Sequence, residues 1–276
     1  MSFVQVLLAG GLGNRMFEYA FARGYAERHG LQLRRETCIL DKIFDIPEDP
    51  PADVANAPNR SAENVHEWDG ESGVTILGMG QHQRCLDYYS RAKVREWFRL
   101  RPNLEELVRD VPSMELVASV RQGDYAYACN PMVLIDPQSY VDACDQHGLD
   151  KHKIYWLHSE LHYRVPQIDV ELPWMNLNDH EKGKLPGMGA RLDFLPDLAL
   201  MMRAKVVLRS NSTFAWWAAT LGDARVFCPN LDGIDAAAGL WDEMRHPQKV
   251  PFVEGNHKPM ISGMWFCTDL NLKNTE

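Results

Sequence analysis

Apolar residues along this chain fall into two patterns: short continuous runs, and stretches that repeat every three or four positions. The run FVQVLLAG predicts a buried strand over about residues 3–9. Past Gly10, Gly11 and Gly13, the residues Phe17, Ala20, Phe21 and Tyr25 recur at helical spacing. They predict a helix from about Asn14 to His29, closed by Gly30. LQLRRE then alternates as a strand, VTILGMG returns to the sheet, and residues 86–109 carry a helical pattern. Between these lie residues 45–73, rich in Pro, Asp, Asn and Glu and poor in periodicity, which read as a variable surface excursion.

After Pro112 the alternation is cleaner. MELVASV is a strand, and Asp136-Pro137 supplies the start of a helix that ends near Gly148. The strand KIYWLH follows, then a helix near 195–203 and the strand AKVVL. The polar turn RSNS, the helix TFAWWAATLG and the strand ARVFC complete the series. Strands separated by helices of about ten residues make βαβ units and parallel sheets. The expected fold is therefore α/β, with two Rossmann-like halves facing a cleft. Residues 1–112 form an N-terminal half, 113–255 a C-terminal half, and 256–276 a tail that packs back on the first.

Composition narrows the function classes. A chain of 276 residues with 45% hydrophobic content builds a substantial core. Its net charge of -9 offers no global basic field for nucleic acid or an anionic membrane, so an anionic ligand would need local arginines and helix ends. No run is long enough to span a bilayer, which leaves only peripheral membrane attachment open. Six scattered cysteines with no C-x-x-C pair read as reduced thiols. The two N-x-[ST] sequons, at Asn59 and Asn211, follow no secretion signal and carry no weight. A cytoplasmic protein is expected.

Three stretches could carry chemistry. The glycine loop Gly10–Gly13 joins a strand to a helix N-terminus, where unpaired N–H groups and a positive dipole end could meet a phosphate or a sugar. A tight turn alone would also explain it. Met16 stands where a dinucleotide fingerprint needs Gly or Ala, which counts against a dehydrogenase. In SVRQGDYAY, Arg121 ends a predicted parallel strand, where open α/β sheets bind ligands, and Asp124 follows it in a glycine-bearing turn. The alternative is a surface ion pair. In LRSNSTFAWWAATLG, the residues Ser210, Asn211, Ser212 and Thr213 crowd one helix start, where a single cap would suffice. Trp216 and Trp217, set among alanines, read as core.

Together and in this order, the three stretches resemble the α-1,2-fucosyltransferase family. Its members open with a sequence like GGLGNQMFQYAFARALA, carry a central HIRRGDY and end with SNSSFSWWGAWLG. The resemblance covers about residues 4–229. It implies an inverting, metal-independent GT-B-like glycosyltransferase with GDP-β-L-fucose as donor substrate, an oligosaccharide acceptor and no further cofactor. It gives Arg121 the donor β-phosphate, Ser212 and Thr213 the same diphosphate, and Asp197 the guanine edge. The expected donor-binding set adds Gly11, Gly13 and Asn14 from the first loop, and Ser210, Asn211 and Phe214 from the last helix start. Arg121 and Asp124 are the expected catalytic pair, and no residue is assigned to a metal.

The departures from the motifs that matter are these: Ser119 replaces the central His, Gln122 the second Arg, and Arg15 and Glu18 two glutamines. The general base comes from Asp124, Glu18, Asp41 or Asp45, with Asp124 first; His158 and His162 read as packing or surface residues. Transfer of another GDP-deoxysugar, or a catalytically idle GDP-sugar-binding protein, are the readings that these departures keep open.

Overall fold

The computed structural model describes residues 2–53, 56–121, 133–159, 194–232 and 247–256. They divide into two compact units, one from the residues up to Leu107 and one from Val108 onward. Gln122, Asp124, His162 and the expected tail beyond Asn256 lie outside the described residues.

The first unit holds a four-stranded parallel sheet in the order β2-β1-β4-β3. β1 (Phe3–Val6) runs into α1 (Leu12–His29), which returns to β2 (Gln32–Arg35). α2 (Ile39–Ile43), β3 (Asn59–Ser61), α3 (Val65–Trp68) and β4 (Val74–Leu77) follow, then α4 (Gln83–Leu86), α5 (Arg91–Trp97) and α6 (Pro102–Leu107). α1 ends as its sequence predicts: Gly30 adopts the left-handed conformation, and its N–H reaches back to the last turn. The helix begins two residues earlier than expected, at Leu12. The helical pattern over 86–109 resolves into two short helices, α5 and α6, with α4 ending where it starts.

Part of the segment 45–73, expected as a surface excursion, is built into this unit. Asn59–Ser61 pairs in parallel with β4, and Trp68 is buried, its indole N–H donating to the Ser61 carbonyl at 2.8 Å. The Asp49 carboxylate accepts from Arg35 at 2.8 Å. Short strands and single anchoring side chains leave no periodicity to read, which is why the composition suggested a loop.

The second unit holds a five-stranded sheet in the order β6-β5-β7-β8-β9. β5 (Leu116–Arg121), α7 (Gln138–His147), β6 (Ile154–Ser159), α8 (Leu195–Arg203), β7 (Val206–Leu208), α9 (Thr213–Leu221) and β8 (Arg225–Pro229) follow the predicted alternation. β9 (Phe252–Glu254) adds an antiparallel edge that the sequence did not announce. α8 and α9 pack closely around Gly222: a Cβ there would sit 2.4 Å from the Met202 carbonyl oxygen. The φ of Gly222 is an ordinary -83°, so this glycine serves close approach rather than an unusual backbone angle. Trp216 and Trp217 are buried edge to face, as the alanine-rich setting predicted.

Since the methyl of an alanine at 222 can be admitted only by moving α8 backbone, Gly222→Ala is expected to destabilise the protein by about 1–3 kcal/mol. The check is a lowered urea midpoint at unchanged slope; a midpoint equal to wild type would show that α8 yields freely.

Candidate functional site

Both units present their chemistry at the carboxyl ends of parallel strands, where the helices that follow begin. In the first unit, β1 leaves the ladder after Val6, and the chain passes Leu7–Ala9 into the glycine loop. Gly10 has φ +75°, and a Cβ there would lie 2.9 Å from the Asn14 amide nitrogen, so both conformation and space require glycine. Gly11, the N-cap of α1, differs. Its φ is -73°, and an added Cβ would meet nothing within 4 Å among the described residues. No side chain caps this helix. Gly13 is buried in the first turn, and Asn14 accepts from the Gln81 side chain at 3.2 Å. Arg15 closes the loop on itself by donating from Nε to the Gly10 carbonyl at 2.9 Å.

Glu18 sits one turn further along α1 and is 3% exposed. Its Oε2 accepts the Ala9 N–H at 2.7 Å, which anchors the strand end to the helix. Burial is the largest influence on this carboxyl and pushes its pKa up to about 7. The Ala9 N–H and Arg15 pull it down, and Glu63 adds to the rise. Glu63 itself accepts from the Ser61 hydroxyl at 2.6 Å and the Met79 N–H at 3.3 Å.

The other carboxylates named from this half are placed differently. Asp41 takes a two-pronged contact from Arg35 at 2.8 and 2.6 Å and accepts the Cys38 N–H at 2.7 Å. Burial raises its pKa, but those hydrogen bonds outweigh it and hold the carboxyl below its ordinary value. A carboxylate so engaged is a helix cap and ion-pair partner, not a proton acceptor for a substrate. Asp45 is exposed at a bridge between the Phe44 and Leu100 backbones.

In the second unit, Arg121 is the last residue of β5 and is half-buried. β7, the neighbouring strand, ends at Leu208, and the turn Arg209–Ser212 leads directly into α9. Ser212 is the N-cap: its Oγ accepts the Phe214 N–H at 3.2 Å. Thr213 and Phe214, half-buried, form the first turn. Asn211 is buried and donates its side-chain amide to the Val133 carbonyl at 3.1 Å, so its Nδ2 fastens a neighbouring chain segment. Ser210 is 1% exposed, and its hydroxyl has no hydrogen-bond partner among the described residues.

Phe214 meets Phe194 edge to face at 5.9 Å. That contact brings the first turn of α8, with Asp197, beside the first turn of α9. The negative charge of Asp197 raises the Tyr155 phenol on β6, after burial, to about 12. An acid in a first helical turn also favours its own dipole, so the position serves the fold as well as a ligand. Ser119 lies within β5, and its carbonyl accepts the Tyr140 hydroxyl at 3.0 Å.

Arg209 is the residue that sequence reasoning missed. It opens the polar turn RSNS, where the sequence assigns it no role, yet it is 0% exposed. The available signal was the charge itself, placed between a buried strand and a buried turn.

Among the described residues no three metal-ligating side chains gather, and no helix is long and apolar enough to cross a membrane.

No family model matches the chain. It is 25% identical to an α-1,2-colitosyltransferase of Escherichia coli, over 88% of this chain and 93% of that protein. In structure it is similar to NodZ α-1,6-fucosyltransferase soaked with GDP-fucose, with a TM-score of 0.52 at 15% identity, covering 92% of this chain and 99% of that one. A variant of FUT1 from Arabidopsis thaliana in complex with GDP gives 0.50 at 13% identity, covering 83% of this chain and 70% of that one. The fold is that of the GT-B-like glycosyltransferases: α/β with parallel sheets, as the alternation led us to expect, and GT-B-like, as the resemblance implied.

Because the folded protein favours the neutral form of Glu18, ionising it costs stability between its unfolded value near 4.5 and its folded value near 7. Glu18→Gln keeps an acceptor for the Ala9 N–H and removes the titration. Its melting temperature relative to wild type is expected to rise from pH 4.5 to 7 and to level off above. A difference independent of pH would contradict the placement of this carboxyl.

Proposed function

We propose that this chain is an inverting glycosyltransferase that moves L-fucose from GDP-β-L-fucose to a galactose-type hydroxyl of an oligosaccharide without a metal. The observation that carries the reading is the cluster at the ends of β5 and β7: Arg121, the serine-bearing turn and the N-terminus of α9. It occurs on a fold shared with proteins solved with GDP-fucose and GDP.

Breaking a glycosyl–phosphate bond leaves an oxocarbenium-like sugar and a diphosphate whose negative charge grows. Catalysis needs fixed positive charge where that charge appears. Arg121 presents a guanidinium that can take two phosphate oxygens at once. The first N–H groups of α9 and the Ser212 and Thr213 hydroxyls add donors at the positive end of a dipole. Ser212 Oγ already accepts from Phe214, which leaves its hydroxyl hydrogen to donate. Asp197 can accept both hydrogen bonds of the guanine edge, and Phe214 holds its helix in place. Gly11, Gly13 and Asn14 of the first unit serve the sugar, Gly11 because its missing side chain leaves backbone open. Asp124 is the proposed base for the acceptor hydroxyl.

A second reading, transfer of a different GDP-deoxysugar, is favoured by Ser119 and Gln122 and by the colitosyl group named for the E. coli relative.

Incubation with GDP-fucose and a panel of galactosides, following GDP release in EDTA, tests both. Arg121→Ala is expected to slow transfer roughly a hundredfold, about 3 kcal/mol of transition-state stabilisation, at an unchanged unfolding midpoint. GDP should raise the melting temperature by mass action and UDP should not. Full turnover by Arg121→Ala, or stabilisation by UDP alone, would overturn the assignment.

A further inference from the structure

Among the described residues two arginines are buried, and they are treated oppositely. The Arg35 side chain is 2% exposed and lies between two carboxylates: Nη1 and Nη2 donate to Asp41, and Nε donates to Asp49. Each edge of the fork is met and the charge is balanced. The Arg209 side chain makes one hydrogen bond among the described residues, from Nη1 to the Ser210 carbonyl at 2.9 Å. Its Nε and Nη2 have no partner, and no carboxylate among the described residues pairs with it. Among the described residues, the ionisable groups whose fields reach it are the Cys228 thiol and the Tyr140 phenol, and burial raises that phenol well above its ordinary value. A guanidinium stays charged under these conditions. Burying one without a counter-charge costs several kcal/mol, so each orphaned donor in a native interior calls for an explanation.

Its place in the fold supplies one. The Arg209 N–H still bonds to the Phe227 carbonyl at 3.0 Å, at the carboxyl end of the sheet. The β5–β7 pairing ends with Ala118 against Leu208, so Arg209 leaves β7 at the same end of the sheet at which β5 runs on through Ser119 to Arg121. Through Nη1 the guanidinium folds onto the turn that opens α9, a nine-residue helix. The next residue in that turn, Ser210, has the other orphaned polar atom. Unmet donors and the positive end of a helix dipole therefore coincide at one turn, and all three want an anion.

We propose that Arg209 is a built-in positive counter-charge for a diphosphate held at the N-terminus of α9, in a chain that has Gln122 where the resembled motif has its second arginine. The nucleotide part rests on the donor reading above; the counter-charge itself needs only the phosphates. Arg209 is a positioning residue in this account: it holds the Ser210 carbonyl and supplies field to the turn.

The test uses the full chain with Arg209→Gln, Arg209→Met and Arg209→Lys, followed by thermal unfolding and by calorimetric titration with GDP and, separately, inorganic pyrophosphate. Without ligand, the two neutral variants are expected to melt at or above the wild-type temperature, since an uncompensated buried charge has been removed. Their affinity for both anions should fall at least tenfold, with Arg209→Lys falling less. Adding Gln122→Arg to Arg209→Gln should recover part of the loss. Neutral variants that bind both anions as wild type does would overturn the proposal. So would neutral variants that fail to fold, because the charge would then serve the fold. A wild-type chain that binds neither anion would overturn it too. Arg209-dependent binding of pyrophosphate without binding of GDP would keep the counter-charge and remove the guanine reading instead.

Discussion

A helix that begins one turn after a buried strand leaves its first N–H groups at the carboxyl edge of the sheet. In the second unit, only the four residues Arg209–Ser212 separate β7 from α9. One capping bond, from the Phe214 N–H to Ser212 Oγ, meets part of that demand. What remains is a concentrated positive end with a buried cation folded against it. The rest of the unit fixes this turn: Asn211 ties it to Val133, Phe194 packs against Phe214, and Gly222 lets α8 and α9 close on each other.

The two units handle buried charge in different ways, and the difference separates structure from chemistry. In the first, Arg35 is neutralised by Asp41 and Asp49, and that network joins β2, α2 and the chain beyond it into one block. In the second, Arg209 has been left unbalanced. Glu18 falls between these cases: one oxygen anchors the Ala9 N–H, while burial raises the carboxyl's pKa to about 7. Sites that hold a ligand give up some stability of the empty protein, and such groups are where that loss is expected.

Much of this arrangement was legible in the sequence, because parallel strands and their helices have strong and different periods. The apolar runs near 116–120, 154–158 and 206–208 marked the sheet, and the polar turn before TFAWW marked the helix start, whose cap the structure places at Ser212. Short elements were harder to see. β3 has three residues and no alternation, and β9 joins through antiparallel pairing that no local pattern encodes. Side-chain roles that depend on long-range partners were hidden altogether. Asp41 read as a candidate base, since nothing in the sequence shows that Arg35 would occupy it. Arg209 stood only as the first residue of the polar turn RSNS, since burial is a property of the packed sheet.

In the proposed reaction, protein donors replace a divalent cation at the departing diphosphate. Isothermal titration of the full chain with GDP, once in excess EDTA and once in magnesium, addresses it directly. Equal dissociation constants in the two buffers are predicted. Binding that vanishes in EDTA and returns with magnesium would contradict it.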